Sequence, residues 1–201
     1  MNKNVQGHIF ALTANILWGL MAPIGKSALM EFSALSVTTF RMVGAAACFW
    51  LLSAFCKHEH VDHRDMLKIF FASLFALVFN QGVYIFGLSM TSPIDASIVT
   101  TTLPIVTMII AAIYLKEPIT NLKVLGIFVG AMGALTLILS SQATSNGNSS
   151  IIGDLLCLVA QISFSIYLTV FKGLSQKYSP ITLNKWMFIY ASCLLYTSPS
   201  P

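Results

Sequence analysis

The sequence contains six apolar runs that are long enough to cross a lipid bilayer, and this feature restricts the fold more than any other. They cover about residues 7–27, 35–56, 67–89, 94–115, 122–140 and 152–172. A helix needs roughly 20 apolar residues to span ~30 Å of hydrocarbon. A seventh, shorter run begins near Ile181, and only 9% of the 201 residues are charged. The chain is therefore predicted to be an all-α polytopic membrane protein.

The positive charges indicate how the helices are oriented in the bilayer. If the runs cross in alternate directions, the side that holds the N-terminus receives eight of the basic residues and the other side receives only Lys26. The eight are Lys3, Lys57, Arg64, Lys68, Lys116, Lys123, Lys172 and Lys177. This bias predicts a cytoplasmic N-terminus in a plasma (inner) membrane. It also accounts for the net charge of +4 without a nucleic-acid partner, because no aromatic residues interleave with the lysines.

The fourth run carries small and polar residues at steps of three and four, which fall on one side of a regular helix. These residues are Ser97, Thr100, Pro104, Thr107, Ala111 and Tyr114. Hydroxyls and a proline at membrane depth are tolerated where protein or a water-filled cavity meets them. This seam is predicted to face the interior of a helix bundle or a solute pathway.

The first run has a comparable stripe, and it aligns with the sixth run at an offset of 146 residues. The stripe comprises His8, Ala11, Asn15, Trp18, Gly19, Ala22 and Lys26. The alignment pairs Gly7 with Gly153, Asn15 with Gln161, Trp18 with Phe164 and Lys26 with Lys172. A repeat of five crossings is odd, so the second copy would be inverted, which is the usual architecture of secondary transporters. We expect a first repeat over 7–140, a linker over 141–151 and the start of a second repeat over 152–196.

Polar side chains in the second and third runs each allow more than one interpretation. A stripe in the third run comprises Ser73, Ala76, Asn80, Tyr84 and Gly87, with Gln81 beside it. The Asn80 and Gln81 amides suit an interhelical hydrogen bond and a substrate contact equally well. Arg41 in the second run can snorkel to the headgroups, contact a substrate anion, or form a structural pair inside the bundle.

The loop KHEHVDHRD contains His58, His60 and His63, which suggests a metal site. Its charged neighbours fit a solvated loop equally well, and the sequence supplies no fixed ligand geometry. We predict no metal site and no cofactor. Cys48, Cys56, Cys157 and Cys193 are interpreted as small apolar residues and not as disulfide partners.

Several motifs, taken in order, resemble the EamA family of the drug/metabolite transporter (DMT) superfamily. They are Trp18-Gly19 followed by Lys26, Phe40-Arg41, the stretch TSPIDASIVTTTLPI that continues to LKEPIT, and the glycine-rich GIFVGAMG. The resemblance implies ten helices in two inverted repeats of five, which move small metabolites, often outward, by alternating access through a central cavity. About seven of those helices would be present here, so we expect a fragment, and the native origin of the closing YTSPSP stays open.

Asp95 departs from the resemblance, since the family more often has a small or amide residue there. A carboxylate at a helix entry suits proton coupling. However, Asp95 lies two residues before Ser97, a rotation of roughly 200° on a single helix, which turns it away from the inward seam. The default prediction is an interfacial carboxylate.

The sequence thus favours a secondary transporter, most naturally an exporter, of small organic metabolites or drugs, and not an enzyme. The predicted cavity residues are Asn15, Trp18, Asn80, Tyr84, Thr100, Pro104, Thr107, Gln161 and Ser165, with Arg41 and Asp95 as candidates for charge or coupling roles. An intramembrane enzyme is disfavoured because the sequence lacks G-x-S-x-G and H-E-x-x-H and has no two carboxylates in one segment core. A membrane scaffold that transports nothing remains the other alternative.

Overall fold

The computed structural model describes residues 3–56, 59–116, 120–144 and 150–196, and all regular secondary structure in these ranges is helical. The elements are α1 (Lys3–Gly19), α2 (Met21–Ala28), α3 (Ala34–Ala54), α4 (His63–Ser73), a π-helical segment (Leu74–Gly82), α5 (Val83–Met90), α6 (Pro93–Thr100), α7 (Leu103–Tyr114), α8 (Asn121–Thr144), α9 (Ile151–Val170), α10 (Lys172–Lys177) and α11 (Pro180–Tyr196).

Five stretches of the described chain are long and apolar enough to cross a membrane. They are Val5–Ala28, Ala34–Ala54, His63–Met90, Pro93–Tyr114 and Ile151–Val170. The described part of α8 contains a shorter apolar portion, Val124–Gly133. These helices confirm the prediction of an all-α, multi-pass membrane protein.

Two of the apolar runs are interrupted where the sequence predicts continuous helices. The first run divides at Leu20 into α1 and α2, and the fourth divides at residues 101–102 into α6 and α7. Proline explains both positions, because it has no N–H to donate to the carbonyl four residues earlier. Pro23 leaves the carbonyl of Gly19 without that donor, and Pro104 does the same to Thr100.

Helix α9 occupies the centre of the described bundle and packs against α5, α6, α7 and the π-helical segment. Helix α11 packs against α3 and α4. One buried apolar cluster therefore forms around Ile69 and Met187, and another around Ile85, Leu88 and Cys157. This arrangement brings α9, the expected first helix of the second repeat, into contact with four elements of the expected first repeat.

The stripe predicted for the third run is confirmed, whereas the stripe of the first run is only partly buried. Ser73, Ala76, Asn80, Tyr84 and Gly87 are all buried. Residues 5–19 of α1, by contrast, are all exposed, and burial in the first run begins with Ala22 in α2. The reason is that α1 stands at the side of a cavity and packs closely against few neighbours.

Some of the predictions concern residues outside the described ranges. They are Lys57 and His58 in the histidine-containing loop, residues 117–119 of the LKEPIT motif, residues 145–149 of the linker, and residues 197–201 at the end of YTSPSP.

Candidate functional site

A cavity of about 350 Å³ lies where α1 and α2 face α5, α6 and the beginning of α7. Its lining residues are Asn15, Trp18, Gly19, Ala22, Tyr84, Ser97, Thr100, Thr101, Leu103 and Pro104. The structure therefore brings together five of the predicted cavity residues, namely Asn15, Trp18, Tyr84, Thr100 and Pro104.

Both helix interruptions adjoin this cavity. Gly19 lies at the end of α1, and Thr101 and Leu103 flank the break between α6 and α7; all three line the cavity. The last turn of α6 tightens there, because the N–H groups of Thr101 and Thr102 donate to carbonyls three residues earlier, at 3.0 Å. Discontinuous helices supply backbone polar groups at membrane depth, and the binding sites of many secondary transporters are built on them.

Aromatic rings and hydroxyls provide the chemistry of the cavity wall. The Trp18 ring meets the Phe164 ring edge to face, with centroids 6.1 Å apart, and 46% of Trp18 remains exposed. Tyr84 is buried, and it lines the cavity together with Thr100. The Thr100 hydroxyl donates to the Ala96 carbonyl at 2.7 Å. This wall can pack an apolar or aromatic group and hydrogen-bond a polar one.

The remaining predicted cavity residues lie at helix contacts around α9 and do not line this cavity. The Asn80 amide donates to the Ala160 carbonyl at 2.9 Å, and the hydroxyls of Thr107 and Ser165 lie 2.9 Å apart. Gln161 is buried, and its Oε1 has no partner in the described part of the chain. Of the two alternatives for Asn80, the observed contact is therefore the interhelical hydrogen bond.

Arg41 points into the bundle and does not snorkel to the headgroups. Its Nη2 donates to the Gln81 side-chain oxygen at 2.8 Å and approaches the Met21 sulfur at 3.2 Å. Gln81 in turn donates to Asn80 at 3.1 Å. Among the described residues, the buried Nη1 of Arg41 has no hydrogen-bond partner. The arginine thus begins a polar chain that runs from α3 through the π-helical segment to α9.

Asp95 faces away from the seam residue Ser97, but that side of α6 is buried and is not an exposed interfacial position. Asp95 is fully buried, and its backbone N–H donates to the Ser92 hydroxyl, which in turn donates to the Asp95 carboxylate at 2.8 Å. Asp95 and Ser97 both belong to α6, so the rotation between them holds: Ser97 is exposed and Asp95 is buried. The side of α6 opposite the seam is buried because α6 also packs against α9 and α2.

Sequence analysis missed Asp154 and its partner Thr91. The Thr91 hydroxyl donates to the Asp154 carboxylate at 2.6 Å, and both side chains are buried. A signal was present in the sequence, since Asp154 is the only acidic residue in the sixth run. Its importance depends on a contact between distant helices, which spacing along the chain does not show.

A second group that the sequence did not reveal is a charged cluster that joins the start of α4 to α10 and α11. Lys177 donates to the Asp62 and Asp65 carboxylates, each at 2.6 Å, and the Tyr178 hydroxyl donates to Asp65 at 2.9 Å. These hydrogen bonds, first the one that Lys177 donates to Asp62 and then the one that it donates to Asp65, raise the pKa of the Lys177 ammonium above its usual range. Part of the histidine-containing loop is therefore engaged in an ion-pair network.

Comparisons with known proteins agree with this architecture. A sequence profile of the EamA-like transporter family matches residues 5–139. An uncharacterized transporter of Archaeoglobus fulgidus is 29% identical over 188 residues, which is 94% of this chain and 65% of the relative. The uncharacterized transporters YyaM and YoaV of Bacillus subtilis are 24% and 23% identical, with 96% and 92% of this chain and 64% and 63% of their lengths covered.

The chain thus spans less than two thirds of the length of these three relatives. The family profile covers more than half of the chain, and the matched region contains every residue that lines the cavity. The chain belongs to the EamA-like transporter family.

Proposed function

We propose that this protein is a secondary transporter that exports small organic metabolites by alternating access, and that the cavity between α1–α2 and α5–α7 is part of its substrate pathway. The observation that supports this most directly is the position of the two helix interruptions, both of which adjoin the cavity. Helix irregularities at membrane depth are common at the binding sites of secondary transporters, and here two of them adjoin one space.

The lining favours a solute that has both an apolar and a polar part. The half-exposed Trp18 ring offers a flat surface for an apolar, aromatic or cationic group, while Thr100 and Asn15 offer hydrogen bonds. A volume of about 350 Å³ falls in the usual range of small-molecule sites. The proposed substrate class is therefore small amphipathic metabolites, without a cofactor.

The proposed cycle depends on two inverted repeats, the first over 7–140 and the second beginning at 152. The central position of α9 supports this division, because a movement of α9 relative to α5, α6 and α7 would open or close the space beside them. The excess of basic residues on one side supports a plasma-membrane location with a cytoplasmic N-terminus.

The test is a transport assay in sealed membrane vesicles with a broad panel of labelled metabolites. Thr100→Ala removes a hydroxyl from the cavity wall, and Thr136→Ala is its matched control. Both hydroxyls donate to the carbonyl four residues earlier at 2.7 Å, but Thr136 is on the exposed face of α8. We expect Thr100→Ala to raise the half-saturating concentration about fivefold, equivalent to ~1 kcal/mol for one hydrogen bond. Thr136→Ala should leave it unchanged.

The absence of transport of every solute by the wild-type protein would contradict the proposed function and favour a membrane scaffold. Equal effects of the two threonine substitutions would show that transport occurs but does not use this cavity.

A further inference from the structure

Two buried acidic residues, Asp95 of α6 and Asp154 of α9, meet on the far side of α6 from the cavity wall. Asp95 has no exposed surface and Asp154 is 8% exposed. Two consecutive residues, Thr91 and Ser92, hydrogen-bond to the two carboxylates, which places the carboxylates beside one another. Because α6 and α9 belong to the first and second proposed repeats, the pair bridges the contact between them.

A single turn between α5 and α6 holds both carboxylates in place. Thr91 donates its hydroxyl to Oδ1 of Asp154 at 2.6 Å, and the next residue, Ser92, donates its hydroxyl to Oδ2 of Asp95 at 2.8 Å. The other oxygen of Asp154, Oδ2, is buried and has no hydrogen-bond partner in the described part of the chain. A buried carboxylate oxygen without a donor is costly, and a bound proton removes that cost.

The nearest lysine does not supply the missing positive charge to Asp154. The Lys26 ammonium donates to the carbonyls of Leu88, Ser89 and Thr91 at 2.8, 3.2 and 2.7 Å. An ammonium group has three N–H donors, so these bonds use all of them. Lys26 is therefore committed to the end of α5.

The Cys157 thiol, one turn after Asp154 on α9, is a titratable neighbour of that carboxylate and carries no positive charge at neutral pH. Arg41, on α3, directs its Nη2 to Gln81. Among the described side chains, no ion pair involves Asp154.

Two carboxylates in a medium of low dielectric constant do not both ionise without a strong electrostatic cost. We propose that Asp95 and Asp154 form a proton-binding site, in which Oδ2 of Asp154 carries the proton while α9 is packed against α5 and α6. Proton binding forms one O–H bond and neutralises one carboxylate, and no other group changes. Separation of α9 from α6 would hydrate the carboxylates and release the proton.

The role of this site in a transport cycle rests on the proposed function: proton release would accompany opening of this end of the bundle. The site itself does not depend on transport. A measurement on the resting protein therefore tests it independently.

The experiment is an infrared pH titration of the whole chain in lipid nanodiscs, with aspartate labelled with carbon-13 at the carboxyl group. A protonated aspartate gives a carboxylic-acid band that the label shifts. We expect such a band at neutral pH in the wild-type protein and its loss in Asp154→Asn. Asp62→Asn, at an exposed position, should retain it and serves as the matched control.

Asp95→Asn tests the pairing itself. Removal of one negative charge makes ionisation of Asp154 easier, so the midpoint of the band should move to lower pH by about one unit or more. This variant keeps Asp154 and its bond from Thr91, so it remains informative if Asp154→Asn does not fold.

Absence of a labelled acid band at neutral pH, its persistence in folded Asp154→Asn, or an unchanged midpoint in Asp95→Asn would each overturn the proposal. A band without transport of any solute would contradict the proposed function alone. Transport without a band would contradict the proton site alone.

Discussion

Gly87 of α5 and Gly153 of α9 approach so closely that neither position has room for a side chain. A Cβ atom on Gly87 would lie 2.8 Å from the Gly153 carbonyl oxygen, and a Cβ on Gly153 would lie 2.9 Å from the Gly87 carbonyl oxygen. In membranes, close backbone contact of this kind stabilises helix association through van der Waals packing. The glycine pair therefore sets the distance between α5 and α9.

We expect Gly153→Ala to lower the free energy of unfolding by about 1–3 kcal/mol, since the obstructing atom is backbone and the helices must move apart. Thermal unfolding in detergent, monitored by circular dichroism, measures this loss of stability. Gly7→Ala is the matched control, because Gly7 is the sequence counterpart of Gly153 and a Cβ there meets nothing within 4 Å. If Gly7→Ala lost as much stability as Gly153→Ala, the contact between Gly87 and Gly153 would not be the cause of the loss.

Pro104→Ala restores an N–H group that can donate to the Thr100 carbonyl and join α6 to α7. Pro104 is the second residue of α7, where a proline costs little, so the gain in the stability of the variant is limited to about one backbone hydrogen bond, ~1 kcal/mol. Its initial transport rate should fall, because a continuous helix moves the wall formed by Thr101 and Leu103. Thermal unfolding and vesicle transport, measured on the same preparation, test both effects.

Pro180→Ala is the control for this substitution. Pro180 is the first residue of α11, a position where proline needs no N–H partner. Pro180→Ala should change neither the stability nor the initial transport rate substantially. Higher stability of Pro104→Ala with an unchanged transport rate would contradict a role for the helix break in transport.

The ionised Glu59 carboxylate is expected to make a small contribution to the stability of the folded protein, which is lost in acid. Hydrogen bonds from the Thr182 side chain and the Ser179 backbone N–H lower the pKa of Glu59 below its ordinary value of 4.5. A lowered pKa in the folded state means that the contribution is complete above pH 4.5 and is lost as the pH falls through the lower, folded value. We expect Glu59→Gln to lower the melting temperature slightly above pH 4.5, and the difference from wild type to shrink at lower pH.

Melting curves of both proteins across an acidic pH series measure this difference. Glu31→Gln, at an exposed position after α2, controls for the general effect of removing a carboxylate. A difference that does not change with pH would show that the Glu59 charge does not stabilise α11.

Sequence periodicity predicted which helix faces are polar but not which neighbours they meet. The stripe from Ser73 to Gly87 is buried as predicted, because α9 covers it. The equivalent stripe of α1 lies beside open space, although its pattern is similar. Hydrophobic spacing defines a direction around one helix, whereas burial depends on where the other helices lie.

The predicted cavity residues likewise fall into two groups that meet different neighbours. Asn15, Trp18 and Thr100 come together around one cavity, while Thr107 and Ser165 hydrogen-bond to each other. No feature of these polar residues in the sequence separates the two groups. The clearest difference is at Asp95, which the spacing correctly turns away from Ser97. The sequence does not show that another helix covers that side of α6.

Lys26 has one further consequence for the turn between α5 and α6. Carbonyl groups at a helix end normally bind water. The Lys26 ammonium takes the place of that water for Leu88, Ser89 and Thr91. A neighbouring helix thus supplies the hydrogen bonds that the carbonyls of this turn need. The backbone that carries the Thr91 and Ser92 hydroxyls is thereby held in place.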